Sequence, residues 1–150
     1  MLDLLAKIYD EAGSLVGARY ALFNGDPGFI TAVELRFEKM SSVFRANPDD
    51  DTLEVRIGSL SLDDSETALD VTDLDLWAQY CGQNLSWVWR LTNQQGYSDG
   101  VRLEFNTSAK QTAAIVELVV VASAIQLFIA AAAGAQQSVQ PDRREDAAPG

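Results

Sequence analysis

Histidine is absent from this chain, and with it goes the side chain that most often titrates near neutral pH. Triads built on an imidazole, His-ligated metals and the usual general base are excluded. Cysteine occurs once, at Cys81, so neither an intramolecular disulfide nor a four-cysteine zinc site can form. The lone thiol reads as a small buried hydrophobe. Both nucleotide fingerprints are missing as well: there is no GxxxxGK[ST] loop and no GxGxxG opening a helix. Catalysis would have to rest on carboxylates, Lys, Tyr or an outside cofactor. The expectation is a protein that is not an enzyme, with no catalytic residues, no cofactor and no metal.

Positive charge is scarce. Lys and Arg number 11 against 22 Asp and Glu, a formal net charge of -11 over 150 residues. That balance opposes binding to nucleic acid or to an anionic membrane and favours a basic protein partner, although acidity also serves plain solubility. The opening residues Met1 to Lys7 lack the basic stretch and sustained apolar run of a secretory signal, so a cytoplasmic protein is expected. With 47% hydrophobic residues the chain can fill one core and is short for two. A single domain is expected over residues 1–133. Gly134 to Gly150, rich in Gln, Pro, Asp, Arg and Ala without periodicity, reads as a disordered tail.

What is present is mostly strand pattern. Between Cys81 and Asn106 two alternating runs flank an amide-rich loop, the signature of a β-hairpin. Leu85, Trp87, Trp89 and Leu91 fall on one face and are expected to meet Val101, Leu103 and Phe105, while Arg90, Arg102 and Glu104 face away. Ile30 to Glu38 alternates as a half-buried strand. Val43 to Ala46 and Leu53 to Ile57 complete a meander across the turn-forming Asn47-Pro48-Asp49-Asp50-Asp51. Leu2, Leu5, Ile8, Tyr9 and Ala12 recur at helical spacing before Gly13, so residues 2–12 read as a helix covering a sheet. Ser59 to Asp75 is polar and leads to a helical turn or two around Leu74, Trp77, Ala78 and Cys81. Ala113 to Ala135 is long enough for a membrane span, with Glu117 its one charge, but its β-branched residues favour a buried strand bent near Ala122 to Ala124 over a core helix or a span. The fold class is therefore α+β: one domain, an antiparallel sheet of about five strands, and an N-terminal helix on one face.

Two polar groups are candidate partner-binding sites. Asp63, Asp64, Glu66, Asp70, Asp73 and Asp75 carry no base among them and either steer a basic partner or form a solvated loop. They make no Asp-x-Asp-x-Asp-Gly calcium loop. Gln94, Gln95, Tyr97 and Asp99, with Asn93, sit at the hairpin tip, where they either recognise a ligand or satisfy a tight loop. Trp77, Trp87 and Trp89 read more readily as core than as a stacking platform.

The combination of Asn47-Pro-Asp-Asp-Asp-Thr-Leu53 with Gly82-Gln-Asn-Leu-Ser-Trp-Val-Trp-Arg-Leu-Thr-Asn-Gln-Gln-Gly-Tyr-Ser-Asp99 resembles a family of small bacterial proteins of unknown function. The resemblance covers roughly Ile30 to Ile129 and brings no catalytic residues. In size and charge alone the chain is also similar to bacterial immunity proteins, compact acidic inhibitors of toxins. Together these readings point to non-catalytic protein binding, most concretely immunity-type inhibition of a basic toxin or effector. The alternative is a scaffold or assembly subunit acting through self-association, as a homo-oligomer, or within a larger complex.

Overall fold

The computed structural model describes residues 1–107 and 112–131. Helix α1 (Leu2–Glu11) forms where its spacing predicts, with Leu5 and Ile8 buried and Leu2 and Tyr9 exposed. It stops at Gly13, whose φ of +82° is left-handed, a conformation that costs other residues about 1 to 2 kcal/mol. Strands β1 (Leu15–Phe23), β2 (Ile30–Phe37), β3 (Ser41–Asn47), β4 (Thr52–Ile57) and β5 (Glu66–Asp70) form an antiparallel sheet in the order β4-β3-β2-β1-β5. One helical turn, α2 (Asp75–Ala78), leads to the second sheet. There β6 (Leu85–Thr92), β7 (Ser98–Thr107), β8 (Thr112–Val121) and β9 (Ala124–Ala131) pair in sequence order, again antiparallel.

The architecture is mostly antiparallel sheet with an N-terminal helix, but the expected single sheet of about five strands is two sheets. The expected meander is present as β2, β3 and β4; β1 and β5 are the strands that its pattern hides. On β1, Ala18, Tyr20 and Leu22 face the core while Ala21 is buried on the opposite face, and register shifts at both ends interrupt the alternation. Strand β5 is short and polar. It pairs with the open edge of β1, Asp70 opposite Arg19 and Thr67 opposite Leu22, so context rather than propensity makes it a strand.

The two sheets lie face to face, β4 against β7 and β2 against β9. Val33, Leu35, Phe44 and Leu53 from one meet Leu103, Phe105, Val116 and Leu118 from the other in a shared core, each contributing about 1.5–3 kcal/mol through burial. Helix α1 packs on β6 and β4. Helix α2 packs on β1: Trp77 is fully buried, its Nε1–H donating to the Tyr20 hydroxyl at 2.8 Å, and Tyr80 stacks on Phe105 with ring centres 4.9 Å apart.

The apolar run after Ala113 is strand, as its β-branched residues imply, but its break is a full hairpin turn and not a bulge. Ala122 and Ser123 both have positive φ, +52° and +70°, in a turn of the kind that favours Asn-Gly. Asp51, in the β3–β4 turn, accepts the Ser123 backbone N–H at 2.8 Å and ties the two hairpin tips together. Replacing Ala122 with Asn and Ser123 with Gly is expected to stabilise the domain by about 1 kcal/mol, seen as a higher urea midpoint at unchanged slope. An unmoved midpoint would mean that the turn holds no strain. The expected tail, Gly134 to Gly150, lies outside the described residues.

Candidate interaction site

The expected acidic strip is divided by its own folding. Glu66 turns into the outer face of the first sheet, its side chain only 3% exposed, where Oε2 accepts from Arg45 Nη1 at 2.7 Å and from the Thr31 hydroxyl. Burial by itself would raise its carboxyl, but the bonds from Arg45, Thr31 and the Asp63 amide outweigh that and hold it below the ordinary carboxylate range. Asp63 accepts the Ser65 amide and hydroxyl at 2.9 and 2.7 Å, which closes a local turn and lowers its own carboxyl. Asp70 accepts the Thr72 amide at 2.9 Å, with Arg36 at 3.8 Å. Asp64, Asp73 and Asp75 are exposed. The length of β5, about 14 Å, separates the Asp63 end from the Asp73 and Asp75 end.

The same outer face carries a second buried carboxylate. Glu34 is 1% exposed, and it accepts from Arg19 Nε at 2.7 Å, from Arg19 Nη2 at 3.3 Å and from the Leu60 amide at 2.8 Å. Its bond to Leu60, together with the bond from Arg45 Nη2 to the Ser61 carbonyl at 2.7 Å, fastens the β4–β5 crossover across the sheet. Leu60 covers Ala21, Ala32 and Val43 there. These charges tie the crossover and β5 to the sheet, and a cleft of about 370 Å³ lined by Arg45, Glu54, Arg56 and Glu66 lies beside them.

The second sheet's outer face is different, and alternation misplaces it. A register shift between Leu85 and Trp87 reverses the strand's parity, so Val88, opposite Leu103, turns toward the core while Trp87 and Trp89 turn outward, opposite Glu104 and Arg102. The expectation that both tryptophans meet Val101, Leu103 and Phe105 is corrected on this point. On the interior side α1 packs against β6, and Tyr80 stacks on Phe105 opposite Leu85. The expectation of core packing holds for Trp77.

Cross-strand registers then build a row over all four strands: Trp89, Arg102, Glu117 and Phe128 lie directly opposite one another. Arg102 donates from Nε and Nη2 to Glu117 Oε2, both at 2.7 Å, and its guanidinium lies 5.3 Å from the centre of the Trp89 ring. Such a cation–π contact adds about 0.5–1 kcal/mol at an exposed site. The flanking rows are Trp87, Glu104, Ile115, Ala130 and Leu91, Gly100, Val119, Gln126. Trp87 and Phe128 are each 52% exposed. At the edge, Tyr9 meets Trp87 edge-on at 6.2 Å, beside a groove of about 450 Å³ that Leu2, Asp3, Leu5 and Val88 help to line.

The hairpin tip sits at the rim of this face. Asn93 organises it, accepting the amides of Gln95 and Tyr97 at 2.9 and 3.2 Å, and Gly96 supplies a φ of +89°. Gln94, Gln95 and Tyr97 are exposed and Asp99 is half-buried. Cys81 is half-buried with its thiol 3.5 Å from the Val16 carbonyl; burial and Asp73 raise it, keeping it protonated. Among the described residues no three Cys, Asp or Glu side chains gather as a metal cluster, and no helix is long and apolar enough to cross a membrane.

Fold and surface together define an acidic protein of two packed antiparallel sheets, one outer face crossed by its own ion pairs and the other open and aromatic. The chain belongs to the family of unknown function DUF6334, whose model matches residues 9–134. No curated protein and no solved structure matches it.

Proposed function

We propose that the protein is a non-catalytic protein-binding module that docks a basic partner on the outer face of its second sheet. The observation that carries this reading is the open row Trp89, Arg102, Glu117, Phe128 with Trp87 beside it. Its composition is that of an interface: aromatic anchors and an Arg at the centre, with amides and Tyr97 at the rim. Trp87 and Phe128 each leave about half of their surface in water on this face, and exposed aromatic side chains are favoured anchors at interfaces. The net charge of -11 supplies long-range attraction for a basic partner, and the exposed Asp64, Asp73 and Asp75 add to that field. Inhibition of a basic bacterial toxin or effector, in the manner of an immunity protein in the cytoplasm, is the concrete form of this reading that size and charge favour. Against an enzymatic role, the buried carboxylates Glu34 and Glu66 are both committed to arginines, and no histidine exists.

Immobilised protein should capture a basic partner from its host. Trp87→Ala should then weaken binding of the isolated partner by about 2 kcal/mol, roughly thirtyfold in Kd. The cost to folding should be about 1 kcal/mol or less, because half of the ring is already in water. Equal affinity of Trp87→Ala and wild type for that partner would move the interface elsewhere. Capture of an acidic partner would end the charge argument.

A further inference from the structure

The four sheet edges are not alike. On the first sheet, β4 presents Glu54 and Arg56, and β5 is five residues long with Glu66 and Asp70. On the second, β6 has a bulge and Arg90 and lies beside α1. All of these are features that discourage a further strand from adding on. The fourth edge is β9, Ala124-Ile-Gln-Leu-Phe-Ile-Ala-Ala131, which contains no charge, no proline and no bulge. In a protein of net charge -11 it is a neutral edge where two copies can approach without opposed charges on the strand itself.

Its free hydrogen-bonding groups can be assigned. The two-residue turn makes Val121 and Ala124 a hydrogen-bonded pair, and antiparallel pairs alternate from there. Gln126 and Phe128 therefore spend their backbone groups on β8, while Ile125, Leu127 and Ile129 direct theirs away from the sheet. Among the described residues nothing pairs with that side. These three outward positions read the same in both directions about Leu127. A second β9, turned by a twofold axis at Leu127, would place Ile125 opposite Ile129, Leu127 opposite Leu127, and Phe128 opposite Gln126. The match is isologous and closes on itself. Ile129 and Phe128, 57% and 52% exposed, lie on opposite faces of the strand and would cover the junction from both sides.

We propose that two copies of this chain pair antiparallel through β9, joining their four-stranded sheets into one continuous sheet across a twofold axis. The proposal does not depend on the identity of the heterologous partner. It also leaves most of the aromatic face open, presented twice.

Sedimentation of the full chain across a concentration series should report twice the chain mass, and the Ile125, Leu127 and Ile129 amides should exchange more slowly as concentration rises. Ile129→Pro removes an outward N–H without touching the β8 ladder, and should halve the mass with unchanged circular dichroism. Ile129→Glu, which leaves every backbone donor in place, should also dissociate the pair and guards against misfolding of the proline variant. Trp87→Ala should leave the dimer intact, which separates this interface from the partner-binding face. A monomeric wild type, or free exchange of those three amides at every concentration, overturns the proposal. So does a full chain that dimerises only after residues 132–150 are deleted, since the occupant of the edge would then be the chain's own end.

Discussion

Trp77→Ala is expected to remove about 3–5 kcal/mol of stability, a large part of the roughly 5–15 kcal/mol that holds a domain folded. The indole is fully buried and its N–H donates to the Tyr20 hydroxyl at 2.8 Å. Truncation leaves a cavity between α2 and the first sheet and strips a buried hydroxyl of its partner. Trp77 belongs to the close-packed core shared by the two sheets, which relaxes only partly into such a void. Trp77→Phe should cost less, since most of the volume remains and chiefly the hydrogen bond is lost, about 1 kcal/mol in itself. Urea denaturation measures both. A loss under about 1 kcal/mol for the alanine variant would place the ring outside the core.

Glu34→Ala should cost about 3 kcal/mol, at the lower end for breaking a buried ion pair. Arg19 keeps a third of its side chain in water and rehydrates in part. The Leu60 amide, left without its acceptor, releases the crossover from the sheet. The acid limb of stability follows from the same contacts. Burial would raise the Glu34 carboxyl, but the Arg19 and Leu60 hydrogen bonds and the charges of Arg19 and Arg36 win and set it below its unfolded value. A carboxyl lowered in the folded state is protonated first in the unfolded chain as the pH falls. Its stabilising contribution is therefore complete above the unfolded value, about 4.3, and is lost as the pH drops through the lowered folded one. Glu66 acts in the same direction. Urea midpoints measured from pH 7 downward should fall below about pH 5, and less steeply in Glu34→Gln. Parallel acid limbs for the variant and wild type would mean that the Glu34 ion pair contributes nothing.

Much of the fold was legible because its elements satisfy local rules. Helix α1 has a helical stripe and a glycine stop. Strands β2, β3 and β4 alternate around a turn that Pro48 and three aspartates favour, and β6 and β7 flank an amide-rich turn. Strand β5 is invisible to such rules, since Glu66-Thr-Ala-Leu-Asp70 becomes a strand only when β1 offers it an edge. The hairpin turn at Ala122 and Ser123 lacks the Asn-Gly that would announce it, and Asp51 holds it from another sheet.

The candidate sites show the same division more sharply. Composition alone determined the absence of imidazole chemistry, the lack of any intramolecular disulfide and the acidic field, because these depend on which residues are present and not on where they lie. Tertiary structure decided which acids remain free. Glu66 meets Arg45 across 21 positions of sequence, a pairing that no spacing rule foresees. It also decided which face the tryptophans take: a one-residue shift between Leu85 and Trp87 turns every later side chain of β6 to the other side of the sheet, because period two has no memory of phase once a bulge intervenes. The row Trp89, Arg102, Glu117, Phe128 exists only where four registers coincide, and register is a property of strands already paired.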